Sequence, residues 1–170
     1  MKDTPIILIG FMGSGKSSIG KQLAKQLQCD SLDTDALIVA KTGKSITALF
    51  ETEGEARFRA LETEVLGELS ASSKKSFVLS TGGGIVLSEQ NRTILKSLGT
   101  VIWLNASPEV LFERARRQPH RPLLEVEYPR RTFDQLLAKR LSLYQETCNL
   151  EIDTTQLSYS KTVKAILDLT

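Results

Sequence analysis

The sequence has few of the residues that build disulfide frameworks or metal clusters. Its 170 residues include two cysteines and one histidine, and Cys29 and Cys148 lie far apart in a spacing that matches no metal or redox motif. Long hydrophobic runs are also missing, because the apolar run Pro5–Ile9 is far shorter than a signal sequence or a membrane span. These absences favour a cytoplasmic protein with no membrane partner.

A strong net charge is likewise absent. The chain carries 22 Lys and Arg against 20 Asp and Glu, which leaves a formal net charge of +2. A field this weak does not hold a nucleic-acid backbone, so we expect no nucleic-acid partner. The composition, 41% hydrophobic and 25% charged without repeats or linkers, predicts one globular domain over residues 1–170.

Apolar runs of strand length alternate with stretches of helical periodicity along the whole chain, a pattern typical of an α/β fold with a parallel sheet. The predicted strands are Ile6–Ile9, Leu32–Asp33, Phe77–Leu79, Val101–Leu104 and Leu150–Ile152. The predicted helices are Lys16–Leu27, Ala36–Lys41, Ile46–Phe50, Glu55–Ser70, Ser88–Leu98, Pro108–Arg116, Phe133–Thr147 and Ser160–Leu169.

The least regular stretch is Arg117–Arg131, which contains three prolines. With Arg114 and Arg116 it holds six of the ten arginines of the chain. Positive side chains brought in by loop closure would neutralise charge on a phosphoryl group and exclude water. The segment about 113–126 is therefore predicted to be a mobile, arginine-bearing lid, although a basic exposed loop is the alternative.

Gly10-Phe-Met-Gly-Ser-Gly15-Lys16-Ser17 follows a predicted strand and opens a predicted helix. The glycines let backbone N–H groups turn inward, and the helix start adds its positive dipole end, so residues 10–17 suit a phosphate loop. Lys16 would reach the β- and γ-phosphates of a nucleoside triphosphate, and the Ser17 hydroxyl would ligate Mg²⁺. A glycine-rich turn without a ligand is the alternative.

A carboxylate on the Mg²⁺ side is expected at the end of a buried strand, yet the strand at Phe77 ends in Ser80-Thr81. Asp33 and Asp35 are the substitutes, because side chains alternate along an extended Leu32-Asp33-Thr34-Asp35 segment and both carboxylates would point the same way. One would serve the metal and the other an acceptor hydroxyl. The alternatives are a helix N-cap for Asp35 and a solvated strand end for Asp33.

Two features predict an acceptor site. Gly82, Gly83 and Gly84 follow a predicted central strand and would present bare backbone N–H groups to a small polar molecule, or merely form a wide turn. Arg59 lies one helical turn from both Glu55 and Glu62, and Glu62 could hold its guanidinium in place. A solvated surface ion pair is the alternative there.

Together these motifs resemble the shikimate kinase family, a branch of the P-loop proteins related to nucleoside-monophosphate kinases. The likeness spans nearly the whole chain. It is carried by Gly10–Ser17, Leu32–Asp35, Gly54-Glu55-x-x-Phe58-Arg59-x-x-Glu62, Gly82–Gly84, Arg121-Pro122-Leu123-Leu124 and Arg140-x-x-x-Tyr144.

The resemblance implies a three-layer α/β/α P-loop fold with five parallel strands and an ATP-dependent kinase that uses Mg²⁺. The reaction would transfer the ATP γ-phosphate to the 3-hydroxyl of shikimate, giving shikimate 3-phosphate and ADP in the chorismate and aromatic amino-acid pathway. The family is also expected to be monomeric.

The resemblance also implies roles for individual residues. Catalysis would involve Lys16, Asp35 and Arg121. ATP would be bound by Gly13, Ser14, Gly15, Lys16, Ser17, Ser18, Arg114, Arg121 and Thr155. Shikimate would be bound by Asp35, Arg59, Glu62, Gly82, Gly83, Gly84 and Arg140, from the helical region about 34–62 and beyond. Mg²⁺ would be held by Ser17 and, through water, by Asp33.

Other functions compatible with a phosphate loop are a kinase for gluconate or a nucleotide, and an ATPase that drives a partner. A regulatory GTP switch would need an Asn-Lys-x-Asp string and an Asp-x-x-Gly strand end, and neither occurs.

Overall fold

The computed structural model describes residues 4–72, 76–117 and 126–170, and it contains the predicted five-stranded parallel sheet. The strand order is β2-β3-β1-β4-β5, and every neighbouring pair is parallel. The strands are β1 (Ile6–Ile9), β2 (Asp30–Asp33), β3 (Phe77–Ser80), β4 (Thr100–Asn105) and β5 (Leu150–Asp153).

Seven α-helices lie within the described residues, together with a short 3₁₀-helix at Ile85–Leu87. The α-helices are α1 (Lys16–Leu27), α2 (Thr34–Thr42), α3 (Ile46–Ala71), α4 (Glu89–Leu98), α5 (Pro108–Arg116), α6 (Pro129–Thr147) and α7 (Tyr159–Leu169). Ser88 and Ser107 are the N-caps of α4 and α5, and their hydroxyl groups accept hydrogen bonds from the first turns of these helices.

The three layers follow from the alternation of side chains along buried strands. On β1, Ile7 and Ile9 join the core beneath α4, α5 and α6, whereas Ile6 and Leu8 join the core beneath α1 and α7. A smaller apolar cluster links α2 to α3. The carboxyl ends of β1, β2 and β3 consequently open toward the space between α2, α3 and α6.

One predicted boundary is confirmed and another is wrong. The two helices predicted at Ile46–Phe50 and Glu55–Ser70 are the two helical segments of α3, which are separated by a kink at Gly54 (φ 79, ψ 171). Helix α6 begins at Pro129, because proline fits the first helical turn, so Arg130 and Arg131 belong to α6 rather than to a loop. Arg130 also pairs with Asp134 one turn along that helix.

Part of the predicted lid, including Arg121 and His120, lies outside the described residues. Among the helices of residues 4–72, 76–117 and 126–170, none combines the length and the hydropathy needed to cross a bilayer.

Candidate active site

The loop between β1 and α1 forms a closed turn around the ammonium group of Lys16. Lys16 Nζ donates hydrogen bonds to the carbonyl oxygens of Gly10 at 2.8 Å and Phe11 at 3.1 Å, and to Ser14 Oγ at 3.2 Å. Gly15 caps α1 with φ 86, a left-handed conformation that favours glycine. The local sequence thus places a buried positive charge beside the N-terminus of a helix, where anions are stabilised.

Asp33 connects the phosphate loop to α2. Its Oδ2 accepts a hydrogen bond from Ser17 Oγ at 3.1 Å, and its Oδ1 accepts from the backbone N–H groups of Asp35 at 3.0 Å and Ala36 at 3.3 Å. Asp33 is therefore the N-cap of α2. The alternatives of a solvated strand end for Asp33 and an N-cap role for Asp35 are both wrong.

Asp35 reaches the same site by a different backbone path from the predicted one. The extended segment through Asp35 is wrong, because the cap at Asp33 turns the chain and α2 begins at Thr34. Asp35 lies in the first turn of that helix. Both carboxylates nevertheless line one cavity.

Ser80 occupies the end of β3, where a metal-side carboxylate was expected. Its side chain is buried, and Oγ donates to the backbone carbonyl of Lys16 at 3.1 Å. Helix α1 passes so close that a Cβ added to Gly20 would lie 2.5 Å from Ser80 Oγ. A carboxylate does not fit in this contact, which leaves Asp33 as the acidic group nearest to Ser17.

A cavity of about 280 Å³ brings most of the predicted site residues together. Its lining includes the predicted residues Gly13, Gly15, Lys16, Ser17, Ser18, Asp33, Asp35, Arg59, Glu62, Gly82, Gly83, Gly84 and Arg140. The structure places Ser14, Arg114 and Thr155 outside this lining.

Arg59 is held by two glutamates on its own helix. Its Nη1 donates to Glu62 Oε2 at 2.7 Å, and its Nη2 donates to Glu55 Oε1 at 3.0 Å. The Arg59 side chain is only 23% exposed, and its guanidinium carbon lies 5.2 Å from the ring centroid of Phe58. The alternative interpretation of Arg59 and Glu62 as a solvated surface ion pair is therefore wrong, because Glu62 is fully buried.

Burial dominates the electrostatics of Glu62. Desolvation raises the pKa of its carboxyl to about 7, although Arg59 and Arg140 lower it, and Asp35 adds a further rise. Burial lowers the pKa of Arg59, but Glu62 and Glu55 hold it above its ordinary value. This part of the cavity therefore contains a fixed cation beside a carboxyl group that titrates near neutrality.

Arg140 supplies a second buried cation to the cavity from a different helix. It lies on α6, with its guanidinium carbon 5.4 Å from the centroid of Phe11. One turn further along the helix, the buried Tyr144 hydroxyl donates a hydrogen bond to the carbonyl oxygen of Gly83. Helix α6 thus contacts the glycine turn, which is formed by Gly82, Gly83 and Gly84. Arg59 and Arg140 line one cavity beside the phosphate loop.

Comparisons with known proteins agree with this arrangement. The family model described as shikimate kinase matches residues 12–170. A shikimate kinase from Bordetella avium is 42% identical over 165 residues, which cover 97% of this chain and 78% of that protein.

The chain belongs to the shikimate kinase family.

Two further relatives support this assignment. A shikimate kinase from Actinobacillus pleuropneumoniae is 42% identical over 96% of this chain and 94% of its own length. The solved structure of a shikimate kinase from Acinetobacter baumannii, in complex with shikimate, superposes with a TM-score of 0.91 and 41% identity, covering 98% of this chain and 92% of that one. The predicted α/β P-loop fold is therefore confirmed.

The glycine turn of this shikimate kinase family member differs from the expected one in a single respect. The N–H of Gly82 is not bare, because it donates to Thr34 Oγ1 at 2.9 Å. Gly84 is needed for close approach, since a Cβ there would lie 2.5 Å from Arg59 Nη1. The triplet thus anchors α2 on one side and accommodates Arg59 on the other.

The predicted adenine side has its own hydrogen bonds. Arg114 donates from Nη1 to Thr154 Oγ1 at 3.0 Å and from Nη2 to the Thr154 carbonyl at 2.9 Å. Thr155 Oγ1 accepts from the backbone of Ser107 at 2.9 Å. Hydrogen bonds from Thr155 lower the pKa of Asp153. Arg114 and Thr155 therefore share one corner of the molecule, formed by α5 and the loop after β5.

Several residues of the site are not among those predicted from the sequence. Thr34 lies between two predicted acids, and its hydroxyl anchors Gly82. Tyr144 belongs to a motif of the resemblance, and its position four residues after Arg140 indicates the same helix face. Phe50 and Phe58 form the apolar wall of the cavity. Phe58 also belongs to the apolar cluster that links α2 to α3.

Proposed function

We propose that this chain transfers the γ-phosphoryl group of ATP to the 3-hydroxyl of shikimate, giving shikimate 3-phosphate and ADP in the aromatic amino-acid pathway. The observation that carries this proposal is one cavity that joins a phosphate loop to a carboxylate-binding pair, Arg59 and Arg140, with Asp35 lining the same space. A planar guanidinium pair suits the carboxylate of shikimate, and a carboxylate acceptor suits its hydroxyl groups.

On the ATP side, the loop Gly13, Ser14 and Gly15 would bind phosphates through its backbone, and Ser17 and Ser18 would follow at the helix N-terminus. Lys16 would exchange its carbonyl contacts within the loop for the β- and γ-phosphate oxygens. Its charge would then offset the negative charge that spreads over the transferring group. Because phosphoryl transfer depends mainly on positioning and charge, this accounts for a catalytic role of Lys16.

The residues present fit a magnesium ion. In residues 4–72, 76–117 and 126–170 no group of three His, Cys, Asp or Glu side chains could hold a metal. Magnesium, however, is commonly bound by one or two carboxylates, water and substrate phosphates. Ser17 Oγ and Asp33 Oδ2, 3.1 Å apart, supply suitable oxygen donors. Ser17 would hold the ion directly and Asp33 through water, and the bound ion would neutralise phosphate charge.

On the acceptor side, Asp35 would accept a hydrogen bond from the 3-hydroxyl and orient its oxygen toward the γ-phosphate. The backbone of Gly82, Gly83 and Gly84 would contact the shikimate ring, and Glu62 would position Arg59 for the carboxylate. A loose transition state requires little early proton removal, so orientation by Asp35 is the larger contribution.

The remaining assignments are part of the same proposal. Arg121, within a lid of about 113–126, would bind the phosphates during catalysis. Arg114 and Thr155 would flank adenine. Residues 1–170 would act as one kinase domain, with the acceptor region at about 34–62. A cytoplasmic, monomeric enzyme without a nucleic-acid or membrane partner completes the proposal.

The test is ADP production by the purified chain with ATP and Mg²⁺, measured with and without shikimate. Gluconate and nucleoside monophosphates serve as competing acceptors. We expect shikimate alone to stimulate ADP release. Stimulation by gluconate or a nucleotide instead would indicate one of the other small-molecule kinases. ADP release that no acceptor stimulates would favour an ATPase that drives a partner.

A further inference from the structure

Glu62 combines complete burial with an oxygen that lacks a donor. Its Oε2 accepts the hydrogen bond from Arg59, but its Oε1 has no hydrogen-bond partner among the described residues. A buried carboxylate oxygen without a donor is costly as an anion, whereas a proton relieves that cost. Oε1 is therefore the atom on which a proton would reside.

A second carboxylate approaches the same place. The position that a Cβ on Gly82 would occupy is 3.1 Å from Glu62 Oε1 and 3.3 Å from Asp35 Oδ1. Both oxygens thus lie beside one face of Gly82, and both line the acceptor cavity. A proton on Glu62 removes one of two neighbouring negative charges.

The charged groups around Glu62 come from three helices. Arg59 on α3 and Arg140 on α6 favour its anion, while Asp35 on α2 and burial favour its neutral form. Tyr144 on α6 stays neutral, because burial raises the pKa of its hydroxyl. The balance places the pKa of Glu62 at about 7, so small changes in nearby charge alter its protonation.

We propose that Glu62 takes up a proton when the carboxylate of the acceptor binds, so that acceptor binding is linked to protonation. The inference rests on the proposed function, because the acceptor anion neutralises the same two arginines that keep Glu62 ionised. A neutral Glu62 also removes an anionic competitor for Arg59. Glu62 is thus a positioning residue that acts through Arg59.

The linkage has a definite sign. Below about pH 7 Glu62 is already protonated in the free protein, so acceptor affinity does not depend on its titration. Above about pH 7 the proton must come from solution, and affinity falls by up to about tenfold per pH unit until the pKa of the bound form is passed. Acceptor binding is therefore expected to weaken in alkaline solution.

The test is calorimetric titration of the full chain with shikimate, at one pH slightly above neutrality, in two buffers of different ionisation enthalpy. The difference in heat gives the number of protons taken up. We expect uptake of up to one proton, and a Kd that rises about tenfold or more between about pH 6.5 and about pH 8.5. Measurable binding without proton uptake would overturn the inference.

Two variants assign the proton to its site. Glu62→Gln should abolish proton uptake and make the Kd independent of pH. Glu55→Gln should retain the proton uptake and the pH dependence of the Kd, because Glu55 also bonds Arg59 but is 63% exposed. Persistent uptake in Glu62→Gln would overturn the assignment, and the wild-type titration decides the linkage if that variant does not fold. Absence of any shikimate binding would contradict the proposed function instead.

Discussion

The two halves of the cavity are built in different ways. The phosphate half is one continuous segment, residues 10–17, in which Lys16 contacts its own loop. The acceptor half collects single side chains from α2, α3 and α6 around the glycine turn that follows β3. The first depends on local backbone geometry, whereas the second depends on the packing of distant helices.

This difference has an electrostatic counterpart. The ammonium of Lys16 donates hydrogen bonds to carbonyl and hydroxyl oxygens of its own loop, which phosphate oxygens can replace. Arg59 forms ion pairs with two carboxylates, Glu55 and Glu62. The phosphate half is therefore suited to a strongly charged ligand. The acceptor half is suited to a single carboxylate, which competes with the nearby glutamates for Arg59.

The largest expected effect is in the phosphate half. Lys16→Met should lower kcat about 100- to 1000-fold, because the variant loses a preorganised charge beside the transferring group. Steady-state kinetics with saturating shikimate measure this change. Lys21→Met, at an exposed position on the same helix, is the matched control and should leave kcat unchanged. Equal losses in both variants would contradict the role of Lys16.

The corresponding change in the acceptor half is Arg59→Ala. It should raise the KM for shikimate about 100-fold, because a buried charged partner of the substrate carboxylate is lost, and change the KM for ATP little. Arg57→Ala, two residues earlier on α3 and 43% exposed, is the control. A similar rise in both KM values would show that the two halves are not separable in this way.

The boundary between the halves is Asp33, which contacts Ser17 and caps α2. Asp33→Asn keeps a good N-cap but removes the charge. We expect the Mg²⁺ concentration for half-maximal activity to rise about tenfold, since one charged outer ligand contributes about this much to metal affinity. Asp30→Asn, at the exposed start of the same strand, should leave the Mg²⁺ requirement unchanged. An unaltered requirement in Asp33→Asn would count against its metal role.

A smaller effect is expected from Gly84→Ala. The new methyl group would displace the guanidinium of Arg59, the flexible end of a side chain, rather than backbone. The KM for shikimate should therefore rise several-fold, about 1 kcal/mol in binding, while the KM for ATP stays unchanged. Gly67→Ala, where a Cβ meets no atom within 4 Å, is the control. An unchanged shikimate KM would mean that Arg59 tolerates displacement.

The same contrast explains what could be predicted from the sequence. The phosphate loop is contiguous, so its glycines, Lys16 and Ser17 define a local geometry that needs no knowledge of packing. The pairing of Arg59 with Glu62 followed from helical spacing and is confirmed. The absence of an acid at the end of β3 can be read from the sequence, but the close approach of Gly20 to Ser80 that accompanies it depends on how α1 packs on β3.

Features that depend on tertiary contacts could not be predicted. The hydrogen bond from Gly82 to Thr34 and the contact of Tyr144 with Gly83 join elements distant in sequence. The burial of Glu62 depends on α2, α3 and α6 together, so its raised pKa had no signal in the helical spacing alone. The extended path predicted for Asp35 is wrong because Asp33 caps a helix that already begins at Thr34.

The most direct test of the account is the identity of the phosphorylated atom. The product formed from ATP, Mg²⁺ and shikimate is isolated and analysed by phosphorus–proton correlation NMR. If the two halves meet at the hydroxyl oriented by Asp35, the phosphorus couples to the proton on carbon 3 of the ring, and one ADP is formed per phosphate ester. Phosphorus on another hydroxyl, or ADP without an ester, would contradict the account.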